Sequence, residues 1–344
     1  MDIEKKCGDF RLKVQFETEN EIFAILGSSG CGKSLTLKCI AGIEKPDTGI
    51  IKLDDEVFFD SSKKINVPAR KRRVGYLFQD YALFPNMTVF QNIMCGAKDK
   101  KTAQEYIERF YLQGKEMLYP SQLSGGQKQR TALARMLSGN PRLLMLDEPF
   151  SALDNYLKTQ LEREVMNVFD MYGKRALFVS HDRNEVYRLT DRIAVMENGH
   201  MVDIQSKHEL FDAPKTLAAT LLTGCKNITG LSRVSEECFR AIDWETNLYL
   251  PKNAHREKNY VYAGIRAHFL TLHGEDGVNR MECEVVRVIE DTFSMVILLK
   301  RKGSTASGGY SVLTCELSKE SWRQIEGDKL FLEIPADKLI LMEK

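Results

Sequence analysis

The sequence predicts an α/β domain followed by a small all-β domain. Three observations predict it. Up to about residue 222, strand-like apolar runs alternate with helical patterns. A glycine-rich loop, residues 27–34, sits between the apolar run 21–26 and a helical run over 34–41 that Gly42 closes. Beyond residue 228, Gly, Asn and Ser punctuate short alternating segments, the pattern of a β-barrel or sandwich.

Each element follows from its local pattern. Residues 21–26 read as a buried strand that runs straight into the glycine loop. Residues 143–146 and 176–179 give two further apolar strands, and 155–172 carries charges and apolar residues at helical spacing. Residues 193–196 and 201–204, joined through Asn198-Gly199, read as a hairpin. Residues 223–227 form the expected hinge, and 281–289, 294–299, 311–317 and 330–334 read as strands of the second domain. The expected domains are therefore 1–224 and 228–344.

Composition excludes several classes. The chain has 344 residues, 43% hydrophobic and 28% charged, which suits a globular protein of one large or two ordinary domains. A net charge of +1 builds in no general attraction to nucleic acid, so no nucleic-acid partner is expected. No apolar run approaches the roughly 18–20 residues of a membrane span. The start, Met1-Asp2-Ile3-Glu4-Lys5-Lys6-Cys7, has no apolar signal core, so export is not expected. The eight cysteines lack a CxxC pair, which points to reduced thiols in a cytoplasm and not to a disulfide framework or zinc site.

The loop Gly27-Ser28-Ser29-Gly30-Cys31-Gly32-Lys33-Ser34 fits G-x-x-x-x-G-K-[ST]. Glycines let the backbone fold around a polyphosphate, with amides pointing inward and the next helix adding the positive end of its dipole. Lys33 would reach the β- and γ-phosphates of a nucleotide, and the Ser34 hydroxyl would bind Mg²⁺. Asp147 ends an apolar strand, where its carboxylate can hold Mg²⁺ through water. Glu148, next in line, can polarise an attacking water.

With these residues in place, the order of motifs resembles the ATP-binding subunits of ABC transporters. Such subunits carry a glutamine loop, a signature, a D-loop and a switch histidine besides the phosphate loop and acids. Here Gln79 stands in Val74-Gly75-Tyr76-Leu77-Phe78-Gln79-Asp80, and the signature is Leu123-Ser124-Gly125-Gly126-Gln127. The D-loop is Ser151-Ala152-Leu153-Asp154, and the histidine is His181. The resemblance implies a P-loop ABC ATPase fold with a helical subdomain at about 88–140. It implies that Ser124, Gly125, Gly126 and Gln127 cap the γ-phosphate of ATP held by a second copy, so that a homodimer is needed. It gives His181 a role at the γ-phosphate and water, Gln79 a role at Mg²⁺, water and the permease, and Asp154 a place at the dimer seam. Phe10 is a candidate for stacking on adenine, with a core aromatic as the other reading.

About forty residues separate Gln79 from Ser124. That leaves room for a short helical subdomain and none for the long coiled arms of chromosome-binding relatives. A cassette followed by a β-domain looks like the ATPase of a binding-protein-dependent importer, on the cytoplasmic face of the membrane. Its partners would be separate permease subunits and, indirectly, a substrate-binding protein. The apolar segment 81–93 suits a helix-in-groove contact with the permease. Residues 222–227, 264–268 and 317–342 look most like molybdate importer ATPases, whose second domain is an OB-like, molybdate-binding-type barrel. The resemblance ranks molybdate or tungstate first, sulfate or thiosulfate second, and iron(III) or polyamine third. The barrel would bind a regulatory oxyanion or serve dimerisation alone. A reading of another class is a cytosolic ATP-dependent regulatory or assembly factor without a permease.

Overall fold

The structure, a computed structural model, describes residues 1–344 except 152–154, 174, 251–258, 306–307, 326–328 and 344, and describes only the backbone of 155–157. The chain divides into two compact units, Met1–Lys207 and His208–Lys344.

The first unit is built on one eleven-stranded mixed sheet. Its strands are β1 (Asp2–Cys7), β2 (Phe10–Gln15), β3 (Ile22–Gly27), β4 (Thr48–Leu53), β5 (Glu56–Asp60), β6 (Ile65–Asn66), β7 (Val74–Leu77), β8 (Leu143–Asp147), β9 (Ala176–Ser180), β10 (Arg192–Glu197) and β11 (His200–Ser206). Its helices are α1 (Lys33–Ala41), α2 (Ala69–Arg72), α3 (Val89–Met94), α4 (Lys100–Arg109), α5 (Gly125–Ser138), α6 (Asn155–Met171) and α7 (Arg183–Leu189). The sheet order is β6-β5-β4-β1-β2-β11-β10-β3-β9-β8-β7. Strands β10, β3, β9, β8 and β7 run parallel, and every residue of β3 is buried, as expected for a strand covered on both faces. The far side of the sheet is antiparallel, with Asp2 opposite Gln15 and Ile50.

Register in the parallel part positions the site. Leu26 lies opposite Ser180, Val179 opposite Asp147, and Gly27 opposite Met196. The carboxyl ends of β3, β8 and β9 therefore finish at one level, and the segments that follow them share one edge. This is where ligands bind in open α/β sheets. The expected hairpin is β10–β11, and its turn places Asn198 at φ 47° and Gly199 at φ 82°. Two consecutive positive φ values match the twist of the flanking strands, and Asn-Gly adopts them at least cost.

The helical segment expected over about 88–140 contains α3, α4 and α5. Thr88 caps α3, with Gln91 completing a capping box, and Asp99 caps α4 by accepting from Thr102 N. Buried Asn92 then fixes the loop before α3. Its Oδ1 accepts from Phe84 N, and its Nδ2 donates to the carbonyls of Phe84, Met87 and Thr88. With the backbone held this way, Phe84 (47% exposed) and Met87 (36%) stand at the surface.

The second unit holds two five-stranded antiparallel sheets. One contains the strands Asn227–Arg233, Cys238–Ala241, Thr246–Tyr249, Tyr262–Ile265 and Ile340–Met342. The other contains Thr271–His273, Arg280–Glu290, Ser294–Arg301, Leu313–Ser318 and Leu330–Glu333. Phe239, Trp244, Leu248, Ile297, Leu299, Leu313 and Leu332 fill one core between them. The Asn227 amide joins the sheets, donating to Thr314 O at 2.8 Å and accepting from Thr314 N at 2.6 Å. This unit begins earlier than the hinge expected at 223–227. The helices Lys207–Asp212 and Leu217–Leu222 are tied to the strands by Arg266, whose guanidinium donates to Thr223 O at 2.9 Å and also to Phe211 O. That tie links residues far apart in sequence, so local composition does not announce it.

Candidate functional site

Loop 27–34 wraps the end of β3 because only glycine fits at its close approaches. A Cβ on Gly27 would stand 2.5 Å from Met196 O, and one on Gly32 would stand 2.9 Å from Leu12 Cδ1. Gly32 also takes φ 112°, a left-handed conformation open to glycine, and forms the N-cap of α1. The first-turn amides of α1 have no partner within the helix and carry its positive dipole end. Ser28, Ser29 and Gly30 are exposed, while Cys31 points inward, and burial pushes its thiol pKa up.

Five of the expected residues converge here. Lys33, only 4% exposed, donates through Nζ to the carbonyls of Gly27 and Ser28, both at 2.9 Å, and stands 3.5 Å from Glu148 Oε1. Glu148 Oε2 lies 3.0 Å from His181 Nδ1. The Ser34 hydroxyl donates to Asp147 Oδ1 at 2.8 Å. Glu148 thus sits between a cation and an imidazole, one residue beyond the carboxylate that meets Ser34. Its φ of 45° is unusual for a non-glycine residue and turns the side chain towards the loop. The Glu148 amide donates to Val179 O at 2.9 Å, which anchors that turn to β9.

His181 is half-exposed, but its neighbours are fixed. Ser180 Oγ donates to Glu185 at 2.6 Å, and Lys158 bridges Asp182 and Glu185 at 2.5 Å each. Burial alone would raise the Asp182 pKa. The Lys158 hydrogen bond and the backbone amide of Asn184 outweigh it, so Asp182 is held below the usual carboxylate range. Sequence reasoning missed this clamp, which joins α6 to the start of α7.

Gln79 is exposed at the end of the β7 segment and lies 3.5 Å, through Nε2, from Ser151 Oγ. Ser151 Oγ in turn donates to Glu148 O at 3.0 Å. Asp154, Ala152 and Leu153 of the expected D-loop lie outside the described residues. The Phe10 ring is partly buried against the core and borders the loop; its Cζ would be 3.1 Å from a Cβ on Gly32. Both readings of Phe10 remain compatible with that position.

Ser124 is the N-cap of α5, and its Oγ accepts from Gln127 N at 3.4 Å while Gln127 Oε1 accepts from Ser124 N at 3.0 Å. The amides of Gly125 and Gly126 in the first turn have no partner within the helix. Among the described residues, no hydrogen bond or ion pair joins 124–127 to loop 27–34.

A second residue missed in the sequence is Tyr76, near the end of β7. Its hydroxyl donates to Asp147 Oδ2 at 2.8 Å. Burial, then the Asp147 charge, pushes its phenol pKa far up, so it stays a donor. Only its strand-end position next to the Gln79 segment hinted at this.

The donor set fits ATP with Mg²⁺. A hydroxyl and a carboxylate oxygen 2.8 Å apart offer hard ligands beside a phosphate cradle. Among the described residues, no cluster of three or more His, Cys, Asp or Glu forms a separate metal cage.

Comparison with known proteins decides the family of this unit. Residues 11–151 match the family described as ABC transporter. The segment is an ABC transporter ATP-binding domain. A sulfate/thiosulfate import ATP-binding protein, CysA, of Caulobacter vibrioides is 42% identical over 229 residues, covering 62% of this chain and 66% of that protein. A spermidine/putrescine import ATP-binding protein, PotA, of Thermotoga maritima is 39% identical over 218 residues, covering 61% and 58%. The matches thus span 58% to 66% of those relatives' length, just under two thirds at most. A solved dimeric post-hydrolysis state of an ATP-binding cassette bound to ADP and Pi superposes with a TM-score of 0.51 at 27% identity. It covers 60% of this chain and 97% of that one. The first unit therefore has the P-loop ABC ATPase fold.

Proposed function

We propose that the chain is the ATP-hydrolysing subunit of an ABC importer and acts as a homodimer on a separate membrane permease. The convergence of Lys33, Ser34, Asp147, Glu148 and His181 on one sheet edge carries this reading. ATP lies along loop 27–34, with Lys33 against its β- and γ-phosphates. Mg²⁺, when bound, would neutralise charge on those phosphate oxygens, and Ser34, Asp147 and Gln79 are the residues that would hold it. Glu148 accepts hydrogen from the attacking water, and His181, 3.0 Å away, orients that carboxylate and faces the γ-phosphate. The signature residues Ser124–Gln127 complete the site from the other copy, through the first-turn amides and dipole of α5. Asp154 belongs to the seam between copies, and the aromatic face of Phe10 to the adenine.

The exposed side chains Phe84 and Met87, on a loop fixed by Asn92, support a permease contact there and a place at the cytoplasmic face of the membrane. Among the described residues, no helix is long and apolar enough to cross a membrane, so translocation falls to the permease. The test of the site is Glu148→Gln. It should still bind ATP and dimerise on it, while turnover falls roughly 10²–10⁴-fold. Near-normal turnover refutes the role.

For the cargo we infer a tetrahedral oxyanion, molybdate or sulfate. The sulfate/thiosulfate name of one relative supports the class, and the likeness of 222–227, 264–268 and 317–342 to molybdate importers supports the member. The second unit is then an OB-like regulatory domain for the same anion. The polyamine names of other relatives favour a second reading, spermidine or putrescine. Calorimetry on the whole chain with molybdate, sulfate and spermidine separates them. Heat with spermidine alone refutes the oxyanion reading.

A further inference from the structure

The Asp147 carboxylate has both oxygens engaged, Oδ1 by the Ser34 hydroxyl and Oδ2 by the Tyr76 hydroxyl, each at 2.8 Å. Strand β7 pairs in parallel with β8, with Tyr76 opposite Met145 and Leu77 opposite Leu146, so the phenol reaches past the strand end to the next carboxylate. The ring itself is fixed. It packs against the first unit's core and against Phe78, with ring centroids 4.3 Å apart. A rigid donor on Oδ2 leaves the carboxylate one orientation, with Oδ1 turned to Ser34.

We propose that Tyr76 is a positioning residue for the metal–phosphate site, fixing the Asp147 carboxylate so that Oδ1 faces the ion beside Ser34. The inference rests on the nucleotide-site reading above and adds a residue to it. Without the phenol, Oδ2 has no fixed donor, and the carboxylate rotates between orientations of which only one faces the Ser34 hydroxyl. Outer donors of this kind typically set about 10–100-fold in metal affinity or activity. Tyr76 also stands three residues before Gln79 on the same segment, so the Gln79 loop and the Asp147 carboxylate share one support.

The test compares the full chain with Tyr76→Phe, which removes only the hydroxyl, and with Tyr76→Met, which fills the space without a ring. Mn²⁺ serves as probe, its binding to the ATP-loaded protein followed by electron paramagnetic resonance. ATP affinity is measured separately in EDTA. Mn²⁺ affinity should fall about tenfold in both variants, with ATP affinity in EDTA unchanged. Half-saturating Mg²⁺ for hydrolysis should rise by a similar factor, and saturating Mg²⁺ should restore most of kcat. Unchanged Mn²⁺ affinity in a folded variant, with or without a lower melting temperature, assigns Tyr76 to packing and overturns the proposal. Failure of the parent protein to bind ATP even in EDTA overturns the site reading itself, and this inference with it.

Discussion

Arg72 gives the sharpest test of how the sheet edge is supported. It is fully buried and, among the described residues, has no carboxylate partner. Its guanidinium instead donates to Val67 O, Cys39 O and Ile40 O at 2.8 Å each and to Asn66 Oδ1 at 3.0 Å. Cys39 and Ile40 lie in the last turn of α1, so the cation sits at the negative end of the helix dipole and adds a donor to carbonyls there, that of Cys39 also accepting from Gly42 N at 3.2 Å. The guanidinium also lies 5.4 Å from the Phe58 ring centroid. Burial lowers its pKa, yet an arginine keeps its charge.

Each such charge-assisted bond contributes about 1.5–3 kcal/mol, and burying the cation costs several kcal/mol in return. Removing the guanidinium takes that donor from several buried acceptors, at about 1–3 kcal/mol for each one left unsatisfied. Arg72→Ala should therefore lose about 4 kcal/mol, and Arg72→Lys, a single point donor, about half of that. With a urea slope of about 3 kcal/mol/M, the alanine midpoint of the first unit should fall by about 1.3 M. Circular dichroism in urea reads this directly. An alanine variant within about 0.3 M of the parent would mean that water or neighbouring side chains satisfy those carbonyls, and the reasoning fails.

Two further outcomes follow from the same geometry. Gly32→Ala places a Cβ at φ 112° and 2.9 Å from Leu12 Cδ1, so it should cost about 1–3 kcal/mol and weaken ATP binding at least about tenfold; titration with a fluorescent ATP analogue checks this, and unchanged affinity would show that the loop tolerates the side chain. Burial pushes the Cys39 and Cys315 thiols up to about 12 from an ordinary 9.0. A raised folded-state value gives stability that is complete below pH 9 and is lost as pH rises towards 12. Each thiol should then contribute a decline of about 1.4 kcal/mol per pH unit above pH 9, and Cys315→Ala should show a shallower alkaline slope than its parent. Equal slopes would remove burial of that thiol as the cause.

Much of the site was legible in sequence because its parts are contiguous. A strand, a glycine loop and a helix start lie together in 21–41, and the acids follow a second apolar strand directly. The hairpin was legible for a similar reason, since Asn198-Gly199 specifies its own turn. The antiparallel half of the sheet was less visible, although its signal was present. Residues 11–15 alternate exposed and buried through Leu12 and Val14, the period of a half-buried strand. Strands β4 and β5 lack so clean an alternation, and a register shift between Ile51 and Lys52 breaks their period.

The residues that escaped sequence reading act across long chain separations. Tyr76 reaches Asp147, Arg72 reaches Cys39 and Ile40, and Lys158 reaches Asp182 and Glu185. No periodicity encodes such contacts, because they depend on strand order and not on strand identity. Strand order also explains why the motifs divide as they do. Loop 27–34, Asp147, Glu148 and His181 all follow neighbouring strands β3, β8 and β9, so one chain brings them together. Ser124 follows no strand of that group. It opens α5 in the helical segment, where, among the described residues, its Oγ accepts only from Gln127 N, at 3.4 Å. The Ser124 hydroxyl hydrogen and the first-turn amides of Gly125 and Gly126, which have no partner within the helix, are donors placed for an anionic partner. On the homodimer reading, that partner is the γ-phosphate held by the loop of the second copy.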